Sequence, residues 1–160
     1  MKRIMKKIVV MIVLGLLAVS NVSAQEIFKE VKNIMKQQER IKNDTTKDIE
    51  ERKIATFKWD AIYYMMMKAA ESKTFTEYEL GQQTDAMIEF VNLYLKRLSS
   101  SKKKDEKEII MANFKNATTH NALFNDMDKE TVYAYVDNAK YLTQFSVDTD
   151  WVKALREVKK

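Results

Sequence analysis

The chain has 160 residues, no Cys, no Pro, two Gly and a formal charge of +5, a length that fits one domain better than two. The missing Cys excludes disulfide scaffolds, thiolate metal sites, cysteine nucleophiles and Cys-anchored lipoproteins. An isoelectric point near 9.2 invites nucleic acid or an anionic surface, yet Lys2, Arg3, Lys6 and Lys7 sit among residues 1–24 with no acid, and the remainder carries 24 bases against 23 acids.

Residues 1–7 are short and cationic, residues 8–19 are apolar apart from Gly15, and Val22-Ser23-Ala24 places small side chains before Gln25. This is the pattern of an export signal cut between Ala24 and Gln25. The apolar run is shorter than the ~20 residues a spanning helix needs, so a retained anchor is the lesser alternative. The expected product is a periplasmic or secreted domain, residues 25–160, whose only membrane contact is through the signal before cleavage.

That domain keeps all 16 aromatic residues and has a single Gly, Gly81. Tight turns draw on Gly and Pro. Their scarcity, beside abundant Lys, Glu, Ala, Met and Leu, predicts an all-α fold: a single compact bundle of about four main helices plus one or two short C-terminal ones.

The first helix spans residues 26–43, with Ile27, Phe28, Val31, Ile34, Met35 and Ile41 on one stripe. A second, residues 46–72, becomes apolar on more than one face from Ile54 onward, as expected of a central helix. Thr76-Glu77-Tyr78-Glu79 has capping-box form and opens a third helix to residue 98. Gly81 inside it costs about 1 kcal/mol relative to Ala, which marks either a break or a close approach by a neighbour. Residues 99–104 read as a loop and residues 105–118 as a fourth helix. Asp126 or Asp128 caps a short helix to about residue 136. Tyr141, Leu142, Phe145 and Val147 fall in an irregular connector, and Asp148-Thr149-Asp150 caps a last helix carrying Trp151.

Catalytic equipment is sparse. His120 is the only His, too few for a triad or a His-based zinc site, and one mature Gly cannot build a phosphate loop. A two-carboxylate hydrolase needs two acids flanking a cleft; Asp60, Glu71 and Glu89 stand nearest to apolar neighbours, although all three also fit solvated helix faces. Asp126, Asp128, Glu130 and Asp137 occupy positions 1, 3, 5 and 12 of a calcium loop. Thr131 replaces the turn Gly and Asp137 the bidentate Glu, so the same acids also read as a helix N-terminus. No cofactor is implied.

Charge is uneven along the chain: residues 96–107 hold six bases and two acids, and residues 126–150 two bases and six acids. The basic loop lacks the interleaved aromatics of a nucleic-acid surface, so no nucleic-acid partner is expected. Tyr63-Tyr64-Met65-Met66-Met67 suits an adaptable binding surface as well as a core, and three consecutive Met cannot share one helix face.

The chain resembles small exported bacterial proteins of unknown function, on the Ser23-Ala24-Gln25 signal end, Leu123-Phe124-Asn125-Asp126, and the stretch from Leu142 through Phe145 and Asp148 to Trp151. The resemblance implies export and an α-helical domain, and no activity or site residue. The expected function is a non-enzymatic binder of a partner protein or cell-envelope component. Its alternatives are a small-molecule or lipid binder with a pocket at Trp59, Tyr63, Tyr64, Met66 and Met67, and an envelope hydrolase.

Overall fold

The computed structural model describes residues 24–160; the expected export signal, apart from Ala24, lies outside the described residues. The fold is all-α. Four long helices pack together: α1 (Ala24–Asn43), α2 (Ile49–Glu71), α3 (Glu77–Ser100) and α4 (Lys104–His120). Two short ones follow, α5 (Lys129–Val132) and α6 (Trp151–Val158).

The helix starts are written locally. The Asp48 carboxylate accepts from the Glu50 N–H at 2.7 Å and opens α2. Thr76 and Glu79 form the reciprocal capping box of α3, at 3.2 and 2.7 Å. Asp150 caps α6 through the Lys153 N–H. The basic loop after α3 is shorter than its composition predicts, because the helix continues through Ser100.

The central helix is α3, not α2: it packs on α1, α2, α4 and α6, whereas α2 packs on α1 and α3. The broad apolar character of α2 has a different origin. One side supplies Phe57, Ile62 and Met65 to the core, while Tyr63 and Met67 are left about half exposed, at 48% and 47%. The three Met divide accordingly: Met65 is fully buried, Met66 packs at the core margin and Met67 faces out.

Gly81 does not break α3. A Cβ there would stand 2.7 Å from Ile27 Cγ2, so the missing side chain admits Ile27 of α1. The neighbour that comes close is a side chain.

The core is aromatic. Phe145 packs edge-on to Phe57, Phe90 and Tyr94, with ring centroids 5.7, 5.2 and 4.9 Å apart. Trp151 meets Phe57 and Phe90. The connector before α6 is therefore the plug of the bundle: every residue from Phe145 to Trp151 is buried. A buried non-helical segment must satisfy its backbone polar groups. The Ser146 N–H donates to Thr118 Oγ1 (3.1 Å), the Asp150 N–H to the Asn121 carbonyl (2.6 Å), and Thr149 Oγ1 to the Ser146 carbonyl (2.7 Å).

Candidate functional site

The side chains at one face of α2 recur at helical spacing: Asp60, then Tyr63 and Tyr64, then Met67 and Lys68, then Glu71. They form one wall of a 470 Å³ cavity. The opposite wall comes from the C-terminal third, through Asp126, Asp128, Thr131, Ala134, Tyr135, Tyr141 and Val147. Four tyrosines thus share one cavity. Tyr135 and Tyr141 lie with ring centroids 4.3 Å apart.

That second wall is held by a carboxylate deep in the fold. Asp148 is 2% exposed. It accepts from the Leu123 and Phe124 N–H groups at 3.1 and 2.8 Å, and from the Asp126 N–H at 2.8 Å. Three donors satisfy the buried charge, and they fold the 123–126 stretch around it. Asn125, between the anchored residues, takes a left-handed φ of 53°, a conformation Asn tolerates better than most residues.

The loop so formed presents Asp126 to the cavity. Its Oδ2 accepts from Tyr64 Oη at 3.0 Å and pairs with Lys68 Nζ at 2.8 Å. Lys68 also reaches Glu71 at 3.6 Å, and its ammonium lies 5.9 Å from the centre of the Tyr64 ring. Lys68, with a second hydrogen bond from the Asp128 N–H, holds the Asp126 carboxyl down at about 2. Burial, then the nearby Asp148 and Asp126 charges, push the Tyr64 phenol well above its ordinary range.

Asp60 differs from its neighbours. Among the described residues it makes no hydrogen bond or ion pair. Burial raises its pKa, opposed by the charge of Lys42.

Of the residues expected at a pocket, Tyr63, Tyr64 and Met67 line the cavity. Trp59 and Met66 stand off it: Trp59 stacks on Tyr63, with centroids 5.2 Å apart and the Lys42 ammonium 3.8 Å above its ring, and Met66 packs against the core. Of the acids read as a calcium loop, Asp126 and Asp128 line the cavity, whereas Glu130 and Asp137 do not. Asp128 caps α5 by accepting from the Thr131 N–H and hydroxyl, so the chain turns helical at Lys129 where a calcium loop continues. No three His, Cys, Asp or Glu side chains among the described residues are grouped to hold a metal. Of the hydrolase acids, Asp60 and Glu71 share the cavity and Glu89 instead pairs with Lys159.

A second, wider groove of 790 Å³ runs between α1, α2, α3 and α4, past Gln38, Ile54, Lys58, Leu95 and Met111. Lys58 Nζ there donates to Asn92 Oδ1 at 3.0 Å. No helix among the described residues is long and apolar enough to cross a membrane. No family model, curated protein or solved structure matches the chain.

Proposed function

We propose that this protein is an exported, non-enzymatic binding domain whose recognition site is the tyrosine-lined cavity between α2 and the C-terminal third. The observation that carries this reading is the composition of a 470 Å³ space: Tyr63, Tyr64, Tyr135, Tyr141 and Met67 with a few placed polar groups. Small-molecule sites have this size and this mixture.

The commitments of the acids support binding over hydrolysis. Asp126 is held by Lys68 and Tyr64, and Asp128 by the start of α5. A two-carboxylate mechanism needs two acids free to act on one bond, and here only Asp60 is unengaged.

The test is a titration of the protein, labelled at its methionine methyl groups for NMR, with p-cresol as an uncharged aromatic probe. Met67 lines the cavity and Met111 the second groove. A shift of the Met67 methyl that is lost in Ala134→Trp, which fills the cavity, supports the reading. A shift of Met111 alone, or of neither, overturns it.

A second reading places a partner protein or envelope component over the same mouth. It is favoured by Met127, 84% exposed between the lining residues Asp126 and Asp128. A photo-crosslinker at Met127 that captures one envelope protein, where the same group at Met111 captures none, would support it.

A further inference from the structure

The charge inside the cavity specifies its ligand further. Its walls carry four carboxylates, Asp60, Glu71, Asp126 and Asp128, against one base, Lys68. The protein already seats an ammonium at one end: Lys68 Nζ lies between Asp126 and Glu71, near the face of Tyr64. A tyrosine face and a carboxylate are the two groups that attract an organic cation.

Two turns of α2 away, at Asp60, an acid and a tyrosine again share the cavity face, here with no cation in hydrogen-bond or ion-pair contact, Lys42 acting on the carboxylate through its field alone. Asp60 stands one helical turn from Tyr63 and Tyr64 on the cavity face of α2. Among the described residues nothing donates to its carboxylate. Half-burial strips part of the water from this carboxylate, and a cationic ligand would pair with it without displacing any protein contact.

We propose that the cavity takes a small organic cation, its ammonium at Asp60 and its apolar body along Tyr63, Met67, Tyr135 and Tyr141. This rests on the cavity being the binding site. A small molecule is favoured over a lysine-bearing protein segment because the space is bounded by two walls and its volume is that of one ligand.

Three probes with a shared phenylethyl body separate the charge from the shape: 2-phenylethylammonium, 2-phenylethanol and 3-phenylpropanoate. Isothermal titration calorimetry at neutral pH and low salt is expected to give the cation an affinity about tenfold above the alcohol, with the anion weaker than both. In Asp60→Asn the cation's advantage should fall to about twofold, with the alcohol unchanged. Asp85→Asn, on α3 and away from the cavity, should leave the ratio as it is. Equal binding of cation and alcohol, or an advantage that survives Asp60→Asn, overturns the cation assignment while leaving the cavity a binding site. If none of the three binds and p-cresol leaves Met67 unmoved, the binding reading itself falls, and the cation assignment with it.

Discussion

Asp148 and Asp60 are both carboxylates withdrawn from water, and their surroundings are opposite. Asp148 is enclosed and receives three backbone N–H donors. Its near neighbour Asp150 is treated similarly: burial alone would raise its pKa, but Gln83 Nε2 and the Lys153 N–H and ammonium outweigh this and leave it lowered. Gln83 is used twice, since its Oε1 accepts from the Trp151 N–H at 2.7 Å. Asp60 has no such donors and opens on the cavity. The contrast separates two uses of a withdrawn charge. A carboxylate whose lone pairs are filled by the chain itself organises the fold, whereas one left unfilled beside aromatic rings contributes nothing to the fold and stays open to whatever enters the cavity.

The comparison breaks most visibly at Asp148. Asp148→Ala leaves three N–H groups of the 123–126 loop unpaired and should lower stability by about 3–5 kcal/mol, read by urea denaturation. A loss below about 1 kcal/mol would mean that the loop is not organised by this carboxylate. Asp60→Asn should act in the opposite direction. Removing an unpartnered charge should stabilise the free protein at neutral pH by a few tenths to about 1 kcal/mol, solvent screening at this half-exposed site counted, seen as a small rise in Tm. A fall in Tm would show that Asp60 has a partner in the folded protein. Because a raised carboxylate pKa favours the protonated folded state, the gap between Asp60→Asn and the parent should close as the pH is lowered.

The effect narrowest in pH belongs to Asp126, whose pKa is depressed to about 2. A depressed carboxylate contributes stability that is present above its ordinary value of 3.8 and is lost as the pH falls toward 2. Asp126→Asn should therefore flatten the part of the acid-stability profile between those two values. An unchanged profile would show that the Lys68 contact contributes nothing in solution.

Much of the helical frame was legible because its signals are local. The capping box at Thr76 and Glu79, the stripe from Ile27 to Ile41 and the cap at Asp150 each fall within one or a few turns, and each marks a helix that forms. The rank of the helices was not legible in the same way. The second helix is apolar on two faces because one meets the core and the other a cavity, and hydropathy cannot distinguish a buried face from a cavity wall. Likewise Tyr63, Tyr64 and Met67 were readable as a cluster, since they are neighbours in sequence, but Tyr135 and Tyr141 join them only through the fold. Asp148 was hidden for the same reason. It lies 22–25 residues from the N–H groups it binds, so in the sequence it reads as one of several caps before the last helix. Asp126 and Asp128 were singled out by spacing, which is shared by calcium loops and helix starts; the entry into α5 at Lys129 favours the helix start.

The two tryptophans fall on either side of the division between the filled and the unfilled charge. Trp151 is sealed among Phe57, Phe90 and the buried connector, and its indole Nε1 is the one buried side-chain polar atom among the described residues with no hydrogen-bond partner. Trp59 stacks on Tyr63 at the flank of the cavity, beneath the Lys42 ammonium. Their light emission should differ accordingly: Trp151 at shorter wavelength and closed to acrylamide, Trp59 at longer wavelength and open to it. Filling the cavity should disturb the second signal and leave the first, while unfolding should move both. The chain thus carries its own pair of optical reporters, one for occupancy and one for the integrity of the core.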